Sequence, residues 1–250
     1  MITNGAVTGR MTHQSPNMAQ VPAVSAPFGP ECRRCWTVEE GNVLVGIDAS
    51  GLELRMLAHY MDDEDYTNEI LNGDIHTANQ RAAGLTSRPL AKTFIYAFLY
   101  GAGDAKIGAI VGGNSVTGRR LKETFLSNTP SLERVRGNTH REAVSGILTA
   151  LDGRKLRVRS EHAALNTLLQ GAGAIVMKEA LTILNAKLLY IPHRFVANVH
   201  DEWQIETTAH YADTVGRMGV RAIRIAGETL SLRCPLDGEY RVGNNWAETH

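Results

Sequence analysis

The run Asn42-Val-Leu-Val-Gly-Ile47 is apolar at nearly every position and bounded by polar residues, a pattern that predicts a buried strand with Asp48 at its exit. Ser50 is placed to cap a helix continuing through Leu54, Leu57 and Ala58. From about residue 66 to 150 the apolar positions follow a helical period, with stops at Gly73, Gly101, Gly112-Gly113 and Pro130. Lys155-Leu-Arg-Val-Arg159 alternates with period two, which sets Lys155, Arg157 and Arg159 on one strand face and Leu156 and Val158 on the other. A long helix is expected from about His162 to Leu189. Two strands follow, Arg194 to Val199 and Trp203 to Thr207, joined tightly around His200-Asp201.

Residues 1–40 hold four of the eight prolines and no sustained period, so this segment is expected to run extended over the rest of the chain. A tract of that length without regular structure is uncommon inside a self-sufficient domain, and it suggests that the chain leans on a further part. The fold class expected is α+β. A first strand region over 41–62 and a second over 151–250 are separated by a helical block over 63–150, and no internal repeat is visible.

Composition adds few constraints. The chain has 250 residues, 43% hydrophobic and 21% charged, which suits a globular protein with a sizeable core. Apolar runs break within about ten residues, short of the roughly 20 that cross a bilayer. The opening residues also lack the basic-then-apolar pattern of a signal peptide. A cytoplasmic protein without a membrane partner is therefore expected. Three cysteines, with Cys32 and Cys35 the only close pair, predict reduced thiols rather than a disulfide framework or a zinc site. The formal net charge is +0 from 26 basic and 26 acidic side chains, unusual for a nucleic-acid binder judged by its total. Local fields are uneven all the same, with acids at Asp62 to Asp65 and basic stretches such as Arg154 to Arg159.

Two carboxylates at adjacent strand ends are what phosphoryl transfer with two divalent cations requires, because magnesium takes hard oxygen ligands and substrate phosphates complete its shell. Asp48 and Asp201 meet that requirement if their strands are neighbours in one sheet, with Glu202 as a supporting carboxylate. The plain alternative makes Asp48 a turn or cap residue and Asp201 a hairpin-tip residue.

Arg88, Lys92, Tyr96 and Tyr100 recur every four residues and so share a helix stripe, opened by Ser87 as cap and Pro89 in the first turn. A triphosphate along that stripe would meet a helix N-terminus, a forked guanidinium and an ammonium one turn on. The alternative is an amphipathic surface helix anchored by Phe94, Ile95, Phe98 and Leu99, with its cations merely solvated. His162, Asn166 and Gln170 make a second stripe, suited either to minor-groove acceptors that every base pair presents or to an internal polar network.

Three segments in fixed order, Gly46-Ile-Asp-Ala-Ser-Gly-Leu-Glu-Leu-Arg55, Arg88-Pro-Leu-Ala-Lys-Thr-Phe-Ile-Tyr-Ala-Phe-Leu-Tyr-Gly101 and Val199-His-Asp-Glu-Trp-Gln204, resemble the nucleotidyl-transfer site of family A DNA polymerases. The likeness is to the palm and fingers, nearest to replicative enzymes of short-tailed bacteriophages, and it extends over almost the whole chain. It includes Thr8-Gly-Arg10, Asn72-Gly-Asp-Ile-His-Thr77 and Leu151-Asp-Gly-Arg-Lys155.

The resemblance implies a mainly antiparallel palm over 41–62 and 151–250 with helical fingers inserted over 63–150. It implies that Asp48 and Asp201, with the Ala49 carbonyl, hold two Mg2+ ions, Glu202 lying close by. Lys92, Arg88 and His76 would hold the triphosphate of a deoxynucleoside triphosphate, Glu53 would exclude a ribose 2′-hydroxyl, and Tyr96 would stack near the incoming sugar. Tyr100 would sit by the templating base, and Arg10, Asn166, Gln170 and His200 would touch primer-template DNA. A phage-encoded enzyme would act in the host cytoplasm.

There are departures from the family pattern. Met1 stands just ahead of Thr8-Gly-Arg10, so a thumb and a 3′–5′ exonuclease domain are expected to be absent, supplied by a separately encoded subunit or lost by truncation. The stretch from Asn138 to Leu151 is short for a phage enzyme, and Trp203 stands where a smaller aliphatic residue is usual. Two other functions remain open from sequence: a two-metal phosphoesterase or nuclease, and a non-catalytic DNA-binding subunit or inactive remnant.

Overall fold

The computed structural model describes all 250 residues and divides the chain into two compact units. One comprises Met1–Leu52 with Gly171–His250, and the other comprises Glu53–Gln170.

The first unit is built on a four-stranded antiparallel sheet. Its strands are β1 (Asn42–Ala49), β4 (His193–Val199), β5 (Glu202–Thr208) and β6 (Gly238–Gly243), in the order β4-β5-β1-β6. Leu44 to Ile47 are buried in β1, as the apolar run requires, while Asp48 lies inside the strand, one residue before its end. Helix α10 (Ala212–Thr229) packs on β1 and β6 through a stripe of small residues. Gly219 accepts the Ile47 side chain so closely that a Cβ there would stand 2.4 Å from Ile47 Cδ1. Neither α10 nor β6 was expected from sequence.

The N-terminal segment departs from a wholly extended course. A 3-10 turn forms at Met18–Gln20 and a short helix, α1, at Gly29–Arg34. Pro30 suits a first helical turn, Glu31 is the acid there and Arg33 and Arg34 end the helix, complementing its dipole. These local signals outweigh the missing period. Arg33 is then buried, its guanidinium 4.3 Å from the Trp246 ring and its Nε donating to Pro22 O at 2.9 Å. Cys32, Cys35 and Cys234 are free thiols.

The second unit is mainly helical. It contains most of α2 (Leu52–Met61), then α3 (Glu64–Leu71), α4 (Ile75–Ala83), α5 (Arg88–Leu99), α6 (Asp104–Ile110), α7 (Ser115–Ser127) and α8 (Pro130–Ala143). Side-chain caps start four of these helices, with Asn114 Oδ1 accepting from Val116 N at 3.0 Å ahead of α7. Asp63 Oδ1 accepts from Tyr66 N at 2.9 Å, Asp74 Oδ1 from His76 N at 3.1 Å, and Ser87 Oγ from Leu90 N at 3.4 Å. Gly84 ends α4 in the left-handed region, at φ 64°, a glycine stop the periodicity did not reveal. Phe125 packs edge to face against both Phe94 and Phe98 at the core, with Phe94 and Phe125 centroids 5.1 Å apart.

The helical block ends before residue 150. Ile147–Thr149 forms β2, paired antiparallel with β3 (Lys155–Arg157). Lys155 and Arg157 are exposed and Leu156 is buried, as the alternation predicts. Helix α9 (Ala164–Lys187) belongs to both units by residue assignment. With the preceding turn, it is long and apolar enough by length and composition to cross a membrane. Two thirds of its most apolar stretch, 67%, is buried within the protein, as in a core helix.

Candidate active site

In the first unit the sheet register brings acids together. Asp48 pairs across β1–β5 with Glu202 and across β1–β6 with Glu239, so three carboxylates form a row over three strands. Asp201 sits in the β4–β5 turn, its backbone oxygen accepting from Ala49 N at 3.0 Å. The turn is tight enough to hold His200 at φ 60°. The structure thus collects Asp48, Ala49, Asp201 and Glu202 at one end of the sheet, where the sequence motifs implied they would meet.

The acids are not equivalent. Burial and the nearby Asp201 and Glu202 charges push the Asp48 carboxyl up to about 7, with His250 opposing and Glu239 adding a smaller rise. Burial would also raise Glu202, but hydrogen bonds from His250 and Gln204 outweigh it and bring the carboxyl below its ordinary value. Glu202 Oε1 takes Gln204 Nε2 at 2.5 Å and Trp246 Nε1 at 2.6 Å, while His250 Nδ1 lies 2.8 Å from Oε2. Both Glu202 oxygens are therefore engaged within the protein, by Gln204, Trp246 and His250.

Gln204, Trp246, Thr249, His250 and Glu239 were missed as site residues by sequence reasoning. A signal existed for Gln204, which follows Glu202 by two and shares its strand face. None existed for the residues from 246 onward, which reach the site by packing over Gly46. A Cβ at Gly46 would stand 2.3 Å from Thr249 O, so only glycine admits that segment. Trp203, the unusual residue, is fully buried opposite Ile47 and its indole N–H lacks a hydrogen-bond partner.

An acid cluster whose central member is held toward neutrality by burial and by its acidic neighbours has the chemistry of a divalent cation site. Asp48 and Asp201 are hard oxygen donors of the kind magnesium prefers. The chain brings no three His, Cys, Asp or Glu side chains into a metal-holding group. Magnesium shared with substrate phosphates needs only one or two protein carboxylates, so the donor set fits.

In the second unit the α5 stripe forms as the spacing predicts. Arg88 and Lys92 are exposed and Tyr96 is half-buried. Tyr100 is the residue that caps α5, its ring stacked 6.5 Å from that of Tyr96. His76, on α4, lies with its ring 6.2 Å from Tyr96. Burial, then the Arg88 and Lys92 charges, lower the His76 pKa below the ordinary imidazole value, with Asp74 opposing. Its buried Nδ1 has no hydrogen-bond partner. The Tyr100 hydroxyl donates to Glu53 Oε1 at 3.2 Å. Glu53, His76, Arg88, Lys92, Tyr96 and Tyr100 are thus one linked set.

Asn166 and Gln170 lie on the first turns of α9, both half-buried, whereas His162 is exposed in the preceding 3-10 turn. Arg10 is half-buried in the N-terminal segment of the first unit, and His200 is exposed at its hairpin tip.

The fold is that of a polymerase domain. The structure superposes with a TM-score of 0.88 on the POL domain of Pol1 from M. smegmatis, described in complex with DNA primer-template and dNTP, at 21% identity. The match covers 99% of this chain and 47% of that one. The sequence identifies the family as well as the fold: residues 1–248 match the model of DNA polymerase family A, and the chain belongs to that family. It is 45% identical to the DNA-directed DNA polymerases of Enterobacteria phage T3 and Escherichia phage T7, each over 284 aligned residues. It is 29% identical to the thermostable DNA polymerase I of Thermus aquaticus. The alignments cover 99% of this chain with the phage proteins and 96% with the Thermus protein, but the chain spans only 40% and 31% of their lengths.

Proposed function

We propose that the chain carries the nucleotidyl-transfer centre of a DNA polymerase, adding deoxynucleotides to a primer 3′ end under the direction of a template. In this reading residues 41–62 and 151–250 form the palm and residues 63–150 the fingers. The observation that carries it is the row of acids around Asp48, beside Asp201, in a chain of this family.

Asp48, Asp201 and the Ala49 carbonyl would hold two Mg2+ ions, which supply Lewis acidity for the attacking and departing oxygens. Lys92, Arg88 and His76 bind the triphosphate, Tyr96 flanks the sugar, and Glu53, held by Tyr100, crowds a 2′-hydroxyl. Arg10, Tyr100, Asn166, Gln170 and His200 contact primer-template DNA. The chain spans 40% of the length of its phage relatives, and the reading concerns the nucleotidyl-transfer centre within that part. The phage relatives support action in the cytoplasm of a host cell.

Primer extension on a short primed template with magnesium and four deoxynucleoside triphosphates tests the proposal. The chain is assayed alone and with the product of any adjacent upstream reading frame. Extension that disappears in Asp48→Asn supports it. A folded protein that extends no primer in either format, or an Asp48→Asn variant as active as the parent, overturns it. Metal-dependent release of nucleotides without extension would assign a nuclease.

A further inference from the structure

Arg88 is already engaged by a carboxylate. Its Nε donates to Asp74 Oδ2 at 2.6 Å and its Nη2 to Asp74 Oδ1 at 3.1 Å, the two-pronged geometry a phosphate would otherwise take. Asp74 is itself fixed by the start of α4. Oδ1 accepts from His76 N and Thr77 N, and Oδ2 accepts from Thr77 Oγ1 at 2.8 Å. The helix cap therefore holds an anion in place before any ligand arrives. Both partners remain partly solvated, with side-chain exposures of 52% for Arg88 and 40% for Asp74, so the pair can open.

Resting on the triphosphate reading of the α5 stripe, we infer that Asp74 is a specificity-determining residue that competes with nucleotide phosphates for the Arg88 fork. Lys92, one turn along α5, and His76, whose backbone Asp74 caps, complete the charged surroundings. A ligand gains Arg88 only by bringing enough negative charge to displace Asp74. The contact thus works against ligands with fewer phosphates and in favour of a full triphosphate. The opposite role, in which Asp74 steers Arg88 toward the ligand, predicts the opposite sign when its charge is removed.

Asp74→Asn separates the two functions of the residue, because asparagine caps a helix about as well as aspartate but pairs far more weakly with a guanidinium. Binding of dATP with Mg2+ to the full chain, followed by calorimetry, should tighten by about two- to fivefold in this variant, the scale of an exposed ion pair. The gain should vanish in an Arg88→Ala background, and circular dichroism should show unchanged helicity. Unchanged or weaker dATP binding in Asp74→Asn, or a gain that persists without Arg88, overturns the competition. Lys92→Ala tells the two levels apart. If Lys92→Ala and Arg88→Ala both weaken dATP while Asp74→Asn does not tighten it, only the competition fails. If neither weakens it, or the parent chain does not bind dATP, the triphosphate site itself fails and the competition with it.

Discussion

Asp48 and Glu202 face each other across the β1–β5 ladder and titrate in opposite directions. Glu202 has three side-chain donors around it and stays a carboxylate, whereas Asp48 is raised to about 7 by burial and by the charges of Asp201 and Glu202. One acid stabilises its surroundings. The other is an electrostatic cost that the fold carries.

That cost should be visible without metal. An unfolded chain loses the Asp48 proton near the ordinary carboxyl value of 3.8, while the folded chain keeps it to about 7, so stability falls as pH rises between those limits. Asp48→Asn removes the penalty and should stabilise the metal-free protein by about 1–3 kcal/mol at pH 8, allowing for partial hydration. It should make little difference at pH 4. Urea denaturation in EDTA across this range measures it, and parallel pH curves for the two proteins would contradict the assignment. Added magnesium should narrow the gap.

Trp246→Phe keeps the packing of a large ring but removes the indole donor 2.6 Å from Glu202 Oε1. A buried carboxylate that loses one donor costs about 1–3 kcal/mol. Chemical denaturation should show that loss. A change within error would mean Gln204 and His250 suffice.

Gly46→Ala should be more damaging than its size suggests. The added methyl would meet Thr249 O and Gln204 Nε2 at 2.3 and 2.6 Å, and moving β1 is not an option between two paired strands. We expect a loss of about 1–3 kcal/mol, with displacement of the segment that carries Trp246 and His250. Loss of magnesium-dependent stabilisation in a thermal shift assay would report that displacement at Asp48.

Tyr100→Phe breaks the hydrogen bond to Glu53 and leaves the ring in place. Freed from this tether, Glu53 should exclude a 2′-hydroxyl less well, reducing selectivity for deoxynucleotides over ribonucleotides by about 3–10-fold, the scale of one hydrogen bond. Competition between dATP and ATP in the primer-extension assay, with the partner product if it is required, gives the ratio. Unchanged selectivity would remove Tyr100 from this role.

What could be read in the sequence was what short-range pattern encodes. The apolar run of β1, the hairpin around Asp201 and the fourfold spacing of Arg88, Lys92, Tyr96 and Tyr100 each follow from the period of one element. The resemblance to family A motifs then put Asp48 with Asp201 and His76 with the α5 stripe. What escaped notice depends on packing between distant segments. The sequence does not show that Gly216 and Gly219 on α10 take the Tyr240 and Ile47 side chains. Trp246 and His250 reach Glu202 only because Gly46 makes room. The grip of Asp74 on Arg88 joins positions 14 apart, beyond any helical repeat.

The long separation between β1 and its partners has a consequence for how the protein is made. Asn42 and Glu206, which bond at 2.8 Å, are 164 positions apart, whereas the second unit is one uninterrupted stretch, Glu53–Gln170. During synthesis that stretch can fold as soon as it emerges, while β1 waits as an unpaired apolar strand until β5 and β6 are translated. Asp48 and Asp201 are therefore brought together only after that stretch, and the nascent chain exposes an aggregation-prone strand until β5 is made.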